Sequence, residues 1–419
     1  MSSSANVSAA PSARKEWALL HTSFILIGVI TTLLGPVLPS FIHRWSLSDA
    51  QAGFFFTSQY FFSTLGVILT SAFIPRYGFS KVSAAGFVAF FLGFAFLGLG
   101  PWYMSVFMVG INGFGYGLTN PAINLRATQL ASKNTASAVT FLNFSWSIGA
   151  VLCPFLVRAL IPSIGLRGFS MVVAGCSFVL ILLHLSIRNA PAVAARATHP
   201  LADWLAHLRV PQAIPLLALY FLYVGTEVAL GGWVASYETR LPGMGAITLV
   251  IAPSVFYGAL LFGRGIAPLI LRQVSEVWVS VGGLFLATVG AGIIAASNTP
   301  NVLYFGAAVA GFGLAPQYPI FITWLAAIFK QDSTWVGALF FGSAGIGGGA
   351  LPWLVGITSA TTHSLRAGLF IPLVVSFLMI FLVLRSVPSS GKGHPGGGLV
   401  SGGASGGELG APLPPSVMG

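Results

Sequence analysis

Along the chain, apolar residues run in blocks of about twenty or more, separated by short clusters of charged residues, Pro and Gly. The blocks Trp17–Ile42 and Val302–Phe329 contain no Asp or Glu. A helix needs about 20 apolar residues to cross the hydrocarbon core, so each block predicts a membrane span. The breaks predict six helices near Trp17–Ile42, Asp49–Pro75, Lys81–Gly100, Trp102–Ala131, Thr135–Ile161 and Gly165–Arg188. Six more are expected near Val210–Ser236, Ala246–Leu271, Glu276–Ala296, Val302–Phe329, Trp335–Ala360 and Arg366–Arg385. A closed barrel would show short alternating segments instead. The expected fold is an all-α membrane protein with twelve transmembrane helices in two six-helix, pseudo-symmetric bundles.

The longest interior break, Asn189 to Arg209, carries Arg196, His199, Asp203 and His207. Its polarity marks it as a linker, so the expected organisation is a tail (1–16), a first bundle (17–188), the linker (189–209), a second bundle (210–385) and a tail (386–419). From Pro388 onward the chain is mainly Gly, Ser and Pro. Such a segment buries too little apolar surface to offset the entropy of ordering, and it is expected to be disordered.

Composition sharpens the picture. Of 419 residues, 56% are hydrophobic and 6% charged, against roughly 25% charged in soluble domains. The net charge of +11 does not indicate nucleic acid, because the Lys and Arg are scattered over short loops and form no basic, aromatic-interleaved face. Placed on the predicted topology, Arg14, Lys15, Arg76, Lys81, Arg126, Lys133 and Arg188 fall on the same side as the linker and both tails, while the opposite side holds only Arg44, Arg158, Arg167, Arg240 and Arg366. By the positive-inside tendency, both termini and the linker are expected in the cytoplasm, and the protein in a bacterial inner membrane. The first apolar segment is too long for a signal-peptide core and predicts a retained helix. Cys153 and Cys176 lie inside apolar segments, where packing is the expected role.

Six helices, a cytoplasmic linker and six helices is the plan of the major facilitator transporters. After the second helix, Phe73-Ile-Pro-Arg76-Tyr-Gly78-Phe-Ser-Lys81 resembles that family's Gly-x-x-x-Asp-Arg-x-Gly-Arg-Arg loop. Arg76 and Gly78 match and mark the gating loop; Pro75 stands where the family has an acid. Four strings resemble the fucose-permease group of sugar transporters: Gly113-Phe-Gly-Tyr-Gly117-Leu-Thr-Asn120-Pro-Ala-Ile-Asn124, Tyr223-Val-Gly-Thr-Glu227-Val-Ala-Leu-Gly231-Gly232-Trp233, Gly313-Leu-Ala-Pro316-Gln317-Tyr318-Pro319 and Gly347-Gly-Gly-Ala-Leu-Pro352-Trp353. The resemblance implies alternating access, a monosaccharide such as a hexose or deoxyhexose as substrate, and a monomer in the bilayer.

Polar groups at membrane depth must carry the chemistry, because an ionisable residue there is costly and persists where it serves a cavity. Of the eight acids, only Glu227 lies mid-helix; it is the candidate for substrate binding and for coupling, with pairing to Arg264 as the structural alternative. Asn120 and Asn124, four apart, share a helix face, and an amide both donates and accepts, which suits a polyhydroxylated ligand. Gln59, Asn143 and Gln317 are further amide candidates, each with interhelical bonding as its alternative role. Tyr223 belongs to the helix 7 string. Trp146, Trp233 and Trp353 are candidates for stacking on a sugar ring, with packing as the ordinary role.

The group's proton coupling relies on acids in helices 1 and 4. The corresponding residues here are Gly35 and Asn120, which cannot titrate. Coupling is then expected either to pass through Glu227, with a proton or sodium ion, or to be absent, leaving facilitated diffusion. The rival function is proton-coupled export of drugs or lipophilic cations, since a lone carboxylate in an aromatic cavity suits a cation. The Gly clusters Gly113–Gly117 and Gly345–Gly349 lack a preceding strand and a following Lys, so close helix packing is expected rather than phosphate binding. The seven histidines show no metal-ligand spacing, and no catalytic motif or cofactor site is expected.

Overall fold

The computed structural model describes residues 11–131, 135–187, 206–244 and 251–386. Most of the expected linker and both expected tails lie outside these residues. The described chain forms twelve α-helices: α1 (Pro11–Thr32), α2 (Leu34–Trp45), α3 (Asp49–Phe96), α4 (Trp102–Ala131), α5 (Thr135–Ser186), α6 (Ala213–Glu238), α7 (Ala252–Ile270), α8 (Glu276–Ala296), α9 (Pro300–Leu314), α10 (Gln317–Phe329), α11 (Ser333–Thr362) and α12 (Leu365–Ser386).

Helices and membrane crossings do not correspond one to one. Helix α3 has 48 residues, about 72 Å at 1.5 Å per residue, more than twice the hydrocarbon thickness. It turns back at Gly78, whose φ of 79° and ψ of 166° only glycine adopts readily. Helix α5 (52 residues) turns in the same way at Gly165. Conversely, α1 and α2 form one crossing that breaks at Leu33, and α9 and α10 form one that breaks at Ala315–Pro316. Proline supplies the reason: Pro36 and Pro319 remove the amide donors that Thr32 and Ala315 carbonyls would use in a continuous helix. The apolar blocks predict both crossings as unbroken helices, and the structure breaks each of them. Counting α4, α6, α7, α8, α11 and α12 once each, the helices of the described residues are consistent with twelve crossings.

The crossings sort into two bundles. In the first, α1 packs on α5, and α3 on α4 and α5; in the second, α6 packs on α11 and α12, α8 on α9 and α12, and α7 on α9. Glycines set the spacing inside each: Gly113 lies against the Gln59 carbonyl and Gly347 against the Phe221 carbonyl, so close that an added Cβ would collide with backbone. The bundles meet mainly through α3 with α11, α2 with α6, and α5 with α7.

One end of the interface is sealed. Arg240 at the end of α6 donates to both carboxylate oxygens of Asp49 at the start of α3, at 2.5 and 2.7 Å, and Ser359 of α11 donates to the same carboxylate at 2.5 Å. Behind this lock, Gly35 abuts Gly231, Gly53 abuts Trp353, and Phe56 packs on Trp233. At the other end, α4 makes its main contacts with α1, α3 and α5, and α10 with α6, α8 and α11, each within its own bundle.

Candidate functional site

Between the bundles, behind the seal, lies a small cleft lined by Thr31, Thr32, Leu34, Gly35, Phe56, Gln59 and Tyr60 from the first bundle and Val228, Gly232 and Tyr257 from the second. Gln59 is buried and makes no side-chain hydrogen bond to the described residues. It also borders a second cavity, inside the first bundle, where it faces Asn112 among Ile, Leu, Val and Phe side chains.

Glu227 sits about midway along α6, some 21 Å from one end and 16 Å from the other at 1.5 Å per residue. Tyr223, one turn earlier on the same face, donates its hydroxyl to the Glu227 carboxylate. Arg264 of α7 places Nη2 3.5 Å from Glu227 Oε2 and 3.3 Å from the Tyr223 hydroxyl. The carboxylate and guanidinium side chains keep 14% and 25% of their exposure, so the pair borders open space. Tyr60 of α3, Tyr116 of α4, Tyr257 of α7 and Tyr318 of α10 lie within electrostatic reach of Glu227. Four crossings besides its own thus place a phenol within electrostatic reach of this carboxylate.

The amides of the first bundle form a chain. Asn124 Nδ2 donates to the Asn120 carbonyl at 2.9 Å and to its Oδ1 at 3.1 Å, and Asn143 Nδ2 reaches Asn124 Oδ1 at 3.5 Å. Tyr116, Asn120 and Asn124 stand at successive helical turns, which puts them on one face of α4. Trp146 of α5 donates its indole N–H to Thr31 Oγ1 at 3.0 Å and lies 5.8 Å beneath the Arg264 guanidinium, a cation–π contact across the bundle interface.

Three expected ligand residues stand elsewhere. Gln317 is fully buried, with its amide committed to Ser280 Oγ (2.6 Å), the Ser280 carbonyl (3.1 Å) and the Gly313 carbonyl (3.2 Å); it ties α10 to α8 and does not reach the cavity. Trp233 is fully buried and donates to the Pro352 carbonyl at 2.8 Å, and Trp353 packs on Gly53 and Phe54. Both indoles belong to the seal. In the loop motif, Gly78 makes the reversal in α3, while Arg76 is exposed and has no ion pair among the described residues. Among those residues no group of three or more metal-ligating side chains occurs.

Arg264 is expected from the sequence only as a structural partner of Glu227, a pairing the structure contains, while Tyr60, Tyr116, Tyr257 and Tyr318 are not expected site residues. Every other Lys or Arg falls at the end of an apolar segment or in a loop, and Arg264 alone lies inside one.

A sequence profile of the Major Facilitator Superfamily matches residues 20–290. The human sodium-dependent glucose transporter 1 is 27% identical over 188 residues, which is 42% of this chain and 34% of that protein. The chain spans about a third of the length of the first curated relatives it matches. Among solved structures, the fucose:proton symporter of E. coli superposes with a TM-score of 0.64 at 18% identity over 90% of this chain and 100% of that one. A bacterial homologue of the human lysosomal transporter Spinster, captured inward-facing and occupied, gives 0.76 at 16% identity, over 90% of this chain and 97% of that one.

Proposed function

Because the chain belongs to the Major Facilitator Superfamily, we propose that it is a secondary transporter that carries a monosaccharide through the membrane by alternating access, with Glu227 and Arg264 at the centre of the binding site. The observation that carries this reading is that the one acid at membrane depth is already paired. Arg264 and Tyr223 hold Glu227, so the cavity presents little net charge. Around the pair stand tyrosine hydroxyls, groups that donate and accept in turn and match a ring of hydroxyls.

The same pairing weakens the rival reading. A lipophilic cation needs an unneutralised carboxylate among aromatic rings, and Arg264 removes that condition. Relatives described as transporters of glucose and fucose lend support to a sugar.

Alternating access assigns the parts. Asp49, Arg240 and Ser359 close one end; with the termini in the cytoplasm, as the positive-inside tendency suggests, that end is the outer one and the described state would open toward the cytoplasm. Rocking of the bundles would break that lock and close the other end.

Counterflow in proteoliposomes tests the reading. Vesicles preloaded with D-glucose, L-fucose or D-xylose should accumulate the matching labelled sugar, and Arg264→Gln should abolish this for whichever sugar is carried. If no sugar exchanges while cells producing the protein gain resistance to cationic dyes, transport of sugar is excluded and export takes its place.

A further inference from the structure

Arginine and carboxylate meet three times among the described residues in arginine-to-acid pairs, and one meeting differs from the others. Arg126 grips Glu16 through two nitrogens at 2.6 and 2.9 Å. Arg240 grips Asp49 through two, at 2.5 and 2.7 Å. This is the fork-to-fork geometry that guanidinium and carboxylate adopt when nothing competes. Arg264 departs from it, touching Glu227 with Nη2 alone, at 3.5 Å, and sharing that nitrogen with the Tyr223 hydroxyl. Its Nε and Nη1 have no hydrogen-bond partner among the described residues.

A guanidinium at membrane depth with most of its donors unused is expensive unless a ligand completes it. Its setting selects the ligand. Trp146 of the opposite bundle lies 5.8 Å from the guanidinium carbon, and a quarter of the Arg264 side chain stays exposed, so part of the fork is open to an incoming group. A planar anion fits that edge, and the neighbouring phenols suit hydroxyls on the same molecule.

We propose that the transported sugar carries a carboxylate, as a hexuronate or aldonate does, that this carboxylate takes the fork of Arg264, and that Glu227 takes up a proton as it is displaced. The proposal rests on the sugar-transport reading and narrows its substrate class. Charge balance supplies the proton step. Before binding, Arg264 and Glu227 sum to zero. A second carboxylate would leave one uncompensated negative charge at a depth where isolated charge is strongly disfavoured. Protonation of Glu227 restores neutrality, the proton coming from water on the side to which the cavity is open and returning to water when the substrate leaves. One carboxylate and one proton then cross together, without net charge. The titratable and charged groups facing Glu227 are Tyr223 on its own helix, Tyr60 of α3, Tyr116 of α4, Tyr257 and Arg264 of α7, and Tyr318 of α10. Arg264 is the only cation among them, so no other side chain supplies the compensating charge.

The test is titration of the purified full-length protein in weakly buffered detergent solution with D-glucuronate and with D-glucose, recording proton uptake. Glucuronate should bind about tenfold or more tighter than glucose, as added charge-assisted bonds to Arg264 imply, with one proton absorbed per molecule bound. Arg264→Lys, which keeps the charge but loses the fork, should remove most of that preference. Glu227→Gln, which resembles the protonated state and leaves Arg264 in place, should still bind glucuronate but absorb no proton. Glucose binding tighter than glucuronate would overturn the inference and leave sugar transport intact. Glucuronate binding without proton uptake in the unaltered protein would overturn the exchange at Glu227. If neither sugar binds while tetraphenylphosphonium does, both the inference and the sugar reading fall.

Discussion

Two of the three acid–arginine pairs among the described residues differ sharply in geometry. Asp49 and Arg240 lie at the sealed end, on different bundles, and meet through two short contacts reinforced by Ser359. Glu227 and Arg264 lie mid-membrane, on neighbouring helices of one bundle, and meet through one long contact shared with Tyr223. The first pair is satisfied and therefore fit to hold two bodies together. The second is under-satisfied and therefore fit to receive something else. Geometry, not residue type, separates a lock from a binding site.

The largest effect is expected where the central pair is broken on one side only. Arg264→Gln should abolish transport and lower stability by about 3 kcal/mol, since removing one partner of a buried pair strands the other charge. The double variant Glu227→Gln with Arg264→Gln should regain most of that stability in thermal unfolding but none of the transport. A single variant as stable as the unaltered protein would place the pair in water and undo the contrast.

Next comes the lock. Asp49→Asn should change stability by less than about 1 kcal/mol, because the Arg240 side chain is 38% exposed and exposed pairs contribute little. The same small energy acts on the balance between inward- and outward-facing states, where about 1 kcal/mol shifts populations roughly fivefold. Distances between spin labels on α2 and α6 at the sealed end should therefore gain a longer component, and exchanging the two residues, Asp49→Arg with Arg240→Asp, should remove it. An unchanged distance distribution would mean that glycine packing alone closes this end.

Two glutamines sharpen the same contrast between satisfied and unsatisfied groups. Gln317→Ala should lower stability by about 1–2 kcal/mol through its lost hydrogen bonds and leave substrate affinity unchanged. Gln59→Ala, which removes an unpartnered amide bordering the cavity, should reverse that pattern, weakening binding about tenfold with little change in unfolding temperature. The smallest expected effect is that of salt. Raising ionic strength from about 0.05 to 1 M should reproduce a weak version of Asp49→Asn while leaving the central pair unaffected, since buried pairs are screened much less than exposed ones.

Those glutamines also show where sequence reading reaches its limit. Gln59 and Gln317 are both amides within largely apolar stretches, and hydropathy treats them alike. What divides them is the neighbour across the interface: Ser280 for Gln317, open space for Gln59. Spacing along one helix does not carry that information. Trp233 and Trp353 misled for a similar reason, because adjacency to a matched string says which helix a residue is on and not which height or face.

What depends on a single segment was legible. Apolar blocks and their breaks yielded the twelve crossings, the acid mid-helix at Glu227 and the amide face of Asn120 and Asn124. The breaks in the first and tenth crossings were written in Pro36, Pro316 and Pro319, but periodicity averaged over a whole block obscures a local loss of amide donors. The convergence of Tyr60, Tyr116, Tyr257 and Tyr318 on Glu227 required the packing of five crossings, which no single segment encodes.

The most direct test of the central claim is the unfolding temperature of the purified protein against D-glucose, L-fucose, D-xylose and D-glucuronate, because a ligand that binds only the folded state raises it by mass action. A site at Arg264 predicts that at least one of them stabilises the unaltered protein and Gln317→Ala alike and has no effect on Arg264→Gln. A shift that survives in Arg264→Gln, or a panel without any shift, would contradict it.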